Sequence, residues 1–135
     1  MTVLDPGHKY ALEVLDGNGD HHLMFVKREG PGYPGNVGHH SGVNIQEVCR
    51  ALIDRVKYLD NQISCRENTE VLRCLRDAIW WLELRAAGRH KRVEEFVKIA
   101  GFGANIEDLP TCEHCGHIGC ENNCKNLLDN KTDSV

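Results

Sequence analysis

The 135-residue chain contains no apolar run approaching the roughly 20 residues that a membrane-crossing helix needs. Its opening, MTVLDPGHKY, lacks the charged-then-apolar build of a secretion signal, so the chain is expected to stay in the cytoplasm. The local signatures of common catalysts are missing too. No serine or cysteine stands in a nucleophile elbow. The glycine-rich stretch GPGYPGNVG is not followed by the Gly-Lys-Ser/Thr of a phosphate loop. The pairs His21-His22 and His39-His40 are adjacent, and adjacent side chains diverge on extended backbone. A dyad of Cys65 with a histidine has no supporting spacing. Enzymatic activity is therefore not expected. No internal repeat is present.

What remains is a globular composition, 41% apolar, in a length that supports one domain with a small appendage. The net charge of −4 conceals an asymmetry. Residues 27–92 hold twelve Lys/Arg against eight Asp/Glu, a balance of +4, while residues 1–26 carry −3 and residues 93–135 carry −5. Acidic ends repel a long polyanion, so nucleic acid is not the expected partner. A basic middle suits a local pocket for a small anion.

Residues 10–15 (YALEVL) and 23–28 (LMFVKR) read as strands, and DGNGD between them supplies Gly17 and Gly19 for a hairpin turn. Two strands alone are marginal and must pack on something else. Residues 30–42 carry too much glycine and proline for a helix or a central strand. They read as a shaped binding loop offering Tyr33, Asn36, His39 and His40. A first helix begins with Asn44 as cap and Glu47 three residues on, and ends near residues 60–62. Ile45, Val48, Cys49, Leu52, Ile53, Val56 and Leu59 follow its 3.6-residue period. A second helix opens on a capping box, Ser64 with Glu67, and carries the stripe Val71, Leu72, Leu75, Ala78, Ile79 and Leu82. Trp80 and Trp81 project about 100° apart, so at least one is expected to pack away from the first helix. A third, short helix is predicted over residues 93–100, stopped by Gly101 and Gly103. The fold class is thus α+β: a small N-terminal antiparallel β-sheet, a long two-helix antiparallel hairpin, a short third helix and a Cys-rich tail. Residues 1–92 form the ligand-binding part and residues 93–135 the tail. The hairpin has more apolar surface than it can hide alone, so the chain is expected to be a homo-oligomer.

Seven cysteines is an odd count, and four of them crowd into TCEHCGHIGCENNC. The spacing Cys-x2-Cys-x4-Cys-x3-Cys favours metal over a secreted disulfide framework. Thiolates and imidazoles are the usual zinc ligands, and tetrahedral coordination needs four of them at one point. Cys112, Cys115, Cys120 and Cys124 are the candidate ligands, or His117 replaces one of them. A short closed site of this kind is expected to hold structural zinc.

A second constellation is basic and aromatic. Arg28 ends a strand, Arg55, Lys57 and Tyr58 end the first helix, and Asn68, Arg85 and Arg89 lie along the second. An aromatic face stacks on a base, an amide reads its edge and a guanidinium forks a phosphate. Asn68 and Arg85 lie about 25 Å apart along one helix axis. Only two hairpins packed head to tail bring them to one small ligand.

These residues also carry a resemblance. NIQEVCRALIDRVKYLDNQ and CRENTEVLRCLRDAIWWLELRAAGRHKR, with the patterns ALIDR and CRENxxxLxxLxxAxxWLxxR, resemble the hairpin domain shared by phage anti-Thoeris and anti-CBASS proteins. The N-terminal strands make the anti-Thoeris branch the closer match, over residues 8–92. The resemblance implies a sponge in the host bacterial cytoplasm, a hexamer built from dimers. Such a sponge sequesters cyclic ADP-ribose isomers at dimer interfaces, and in some members cyclic di- or trinucleotides at separate sites, without cleaving them. It implies pocket roles for Tyr58, Asn68 and Arg85, with Arg28 a looser assignment. The cysteine tail lies outside it. The alternative reading is a zinc-bearing phage adaptor that grips a host protein or nucleic acid through that tail.

Overall fold

The computed structural model describes residues 1–29, 38–101, 105–120 and 124, with the backbone alone at Gly38 and His39. The fold is α+β, an antiparallel three-stranded sheet followed by three helices. Its packing divides it into two units, Met1–Asn44 and Ile45–Val135. Among the described residues no helix is long and apolar enough to cross a membrane.

In the first unit, β1 (Thr2–Asp5), β2 (Lys9–Glu13) and β3 (Asp20–Met24) pair in chain order. Lys9 lies opposite Met24 and Glu13 opposite Asp20. β1 is an addition to the expected hairpin. Its four residues are too few to announce a strand, and β2 supplies the pairing that makes it one. In the β2–β3 turn the left-handed positions are Gly19 (φ 90°) and Asp16 (φ 56°), so Gly17 does not play the expected part. Aspartate visits this region because its short side chain bonds locally.

The strand expected over residues 23–28 breaks after Met24. Phe25 forms a parallel bridge with Val43, and β4 (Lys27–Glu29) pairs with β5 (Gly38–His40) in a separate two-stranded sheet. Gly42 permits this approach, since a Cβ there would sit 2.4 Å from the Phe25 carbonyl carbon. β5 thus puts a short strand inside the expected loop. Tyr33 and Asn36 lie outside the described residues.

The second unit is built on α1 (Ile45–Gln62), α2 (Arg66–Arg89) and α3 (Val93–Ala100), followed by a 3-10 turn at Ile106–Asp108. The connection of α1 to α2 is three residues long, which forces the helices antiparallel. Gln46 at the start of α1 accordingly meets Glu83 late in α2. The α2 N-cap is Cys65, one residue beyond the expected Ser64, and it makes no side-chain cap. Asp60, from the last turn of α1, supplies that function. Its Oδ1 accepts the Cys65 N–H (3.3 Å) and the Asn68 Nδ2 (3.2 Å).

The core joins Cys49 and Ile53 of α1, Ile79 and Ala87 of α2, and Phe96 and Ala100 of α3 to Ile106 and Ile118. Burying each large aliphatic side chain contributes about 1.5–3 kcal/mol. Trp80 packs on Phe96, ring centroids 5.9 Å apart, while Trp81 stays 64% exposed. α3 starts and stops where its sequence pattern placed it, and the Gly101 N–H closes its last turn on the Val97 carbonyl (2.8 Å).

Candidate functional site

The four tail cysteines converge. The sulfurs of Cys112, Cys115, Cys120 and Cys124 all lie within 4.8 Å of one another, and Cys112 Sγ is 3.7 Å from Cys124 Sγ. Tetrahedral coordination with zinc–sulfur bonds of about 2.3 Å sets sulfurs roughly 3.8 Å apart. This donor set can hold a metal ion.

Local sequence builds the cluster. The Cys112 N–H donates to the His117 carbonyl (2.9 Å) and the Gly116 N–H to the Cys112 carbonyl (2.8 Å), closing a tight turn. Thr111 and Ile118 bridge across its neck. The turn needs Gly116 at φ 73°, a backbone region that costs an L-residue about 1–2 kcal/mol. Burial opposes ionisation of the Cys112 thiol. The backbone N–H groups of Cys115 and His114, with the Cys115 and Cys124 side chains, nevertheless draw its pKa down to about 6. Burial pushes the Cys115 and Cys124 thiols up, and the neighbouring Cys120 and Cys112 sulfurs add to it.

Beneath the cluster lies a buried polar network that the sequence did not announce. Glu83, 1% exposed, points from α2 into the core. Its Oε2 accepts the Ile118 N–H (3.0 Å) and lies 3.4 Å from His117 Nδ1. Its Oε1 is 3.5 Å from Gln46 Nε2, which in turn is 3.3 Å from His117 Nδ1. His117 Nδ1 is thus turned toward the carboxylate, and the donor atoms that converge on one point are the four cysteine sulfurs. The signal that points to Glu83 is an acid at i+4 from Ile79 and i−3 from Ala86, on the apolar stripe of α2. Gln46 stands likewise at i−3 from Cys49.

The basic and aromatic set is spread along the hairpin. Arg55 lies over the half-exposed Tyr58 ring, 5.3 Å from its centroid. Lys57 reaches Glu107 Oε1 at 3.4 Å. Asn68 spends its amide on Asp60 and on the Ile63 carbonyl (3.3 Å). Arg85 and Arg89 are exposed on the last turns of α2 and both have partners. Arg28 lies on β4 in the other unit, in register with His39. The structure brings Arg55 to Tyr58, and within one chain it leaves Asn68 far from Arg85. The chain matches no protein-family model, no curated protein and no solved structure.

Proposed function

We propose that this protein is a non-catalytic, oligomeric sponge. It would bind cyclic nucleotide immune signals, cyclic ADP-ribose isomers or cyclic di- and trinucleotides, between its copies and hold them intact. One observation carries the reading. Ile45, Leu52 and Leu59 stand seven residues apart on α1 and stay 39–49% exposed, forming a heptad-spaced apolar row beside the stacked Arg55–Tyr58 pair. Such a row suits packing against a second hairpin. A guest at that seam meets an aromatic face and a guanidinium together. Head-to-tail packing adds Arg85 of one copy beside Asn68 of another, whose Oδ1 accepts from a base amine. The resemblance of residues 8–92 to anti-Thoeris and anti-CBASS hairpins supports the same reading, including a hexamer built from dimers.

The test is a thermal melt of the purified chain with each class of cyclic signal. At least one is expected to stabilise the fold by about 2.7 kcal/mol at a hundredfold excess over Kd. It should return chemically unchanged after heat release. No stabilisation by any of them contradicts the proposal, and so does recovery of a cleaved product.

The cysteine cluster favours a second reading, a zinc-bearing adaptor for a host protein or DNA. DNA binding with a steep salt dependence, abolished by chelation, would select it.

A further inference from the structure

We propose that Cys112, Cys115, Cys120 and Cys124 form a tetrahedral thiolate site for zinc, and that Glu83 is the positioning residue that couples its loading to the helical hairpin. The inference stands independently of the ligand bound between copies.

The donor set decides the class of metal. Four sulfurs within 4.8 Å suit a borderline-soft ion of tetrahedral habit and not a hard, oxygen-seeking cation. The backbone is built for it. The Cys112–Gly116 turn is closed by its own hydrogen bonds. Loading is a coordination step without redox change. Four thiolates bind one divalent ion to give a centre of charge −2, and every thiol still protonated releases its proton to solvent.

The coupling rests on Glu83. A carboxylate this deep is costly unless its oxygens are bonded. The Cys loop supplies the Ile118 N–H at 3.0 Å and the His117 ring nitrogen at 3.4 Å. Ile118 also belongs to the same apolar core as Ile79 and Phe96. Releasing the loop therefore leaves Glu83 without these two groups and opens the core. Metal that fixes the loop stabilises the helices, and helices that hold Glu83 in place preorganise the loop for metal.

The full chain, stripped and then reloaded with zinc, provides the test. One zinc per chain is expected, lost in the double variant Cys112→Ser/Cys115→Ser. Cobalt loading should give the absorption of a four-thiolate tetrahedral site. Zinc should raise the melting temperature of the helical signal. In competition with a chromophoric chelator, Glu83→Ala should weaken zinc 10–100-fold. Glu83→Gln, which keeps an acceptor for the Ile118 N–H, should weaken it less. If Glu83→Ala fails to fold, Glu83→Gln and the zinc-dependent melt of the unaltered chain decide. Zinc retained by the double cysteine variant, or absent from the reloaded chain, overturns the site. Unchanged affinity in the folded Glu83 variants, or a helical melt indifferent to zinc, overturns the coupling.

Discussion

Glu107 ties three segments with one carboxylate. From the 3-10 turn its Oε1 meets Arg76 of α2 at 2.7 Å and Lys57 of α1 at 3.4 Å, with the side chain almost wholly buried. Burial opposes its charge, but Arg76, its own backbone and Lys57 together hold the carboxyl below its ordinary 4.5. A depressed pKa means stability that is fully present above 4.5 and is lost as the pH falls through the folded-state value. Glu107→Gln is expected to cost about 1–2 kcal/mol at neutral pH, since both cations are partly solvated. It should also flatten the fall of melting temperature below pH 4.5 relative to the unaltered chain. Identical acid limbs in the two proteins would contradict the ion pair. Residues of this kind show how far the sequence can be read. The four cysteines were legible because their spacing is local, within thirteen residues. Glu83, Gln46 and Glu107 were not, because each finds its partners 31 to 71 positions away and only the packed helices bring them together.

At the scale of elements, α1 has two apolar faces with different fates. Cys49 and Ile53 turn inward, while Ile45, Leu52 and Leu59 are displaced by about 80° and remain outside. The sequence merged both into a single stripe, since a period of 3.6 does not say which edge of a broad stripe meets the partner helix. Helix limits were legible where local chemistry sets them, as for α3. The start of α2 moved by one residue because its capping acceptor comes from Asp60, in the preceding helix. The strands were least legible. β1, β4 and β5 have four, three and three residues, and cross-strand partners define them rather than their own pattern. The outer row yields a prediction. Leu52→Glu with Leu59→Glu should keep the helix content and cost the monomer about 1–3 kcal/mol, since each leucine is about half-buried. The same pair should break self-association in sedimentation experiments. A variant that assembles as the parent does would show that the row faces water.

Taken whole, the molecule joins a small sheet unit, a helical hairpin and a cysteine loop anchored to that hairpin by a buried acid. Neither Tyr58 nor Asn68 nor Arg85 makes a nucleotide site within one chain, and self-association is the step that would complete one. Light scattering on the purified 135-residue chain, across a range of concentrations, therefore bears most directly on the reading. The expected result is an assembly of several copies, with a mass near six times 15.2 kDa. A mass that stays at 15.2 kDa at every concentration, with and without cyclic signals, would contradict it.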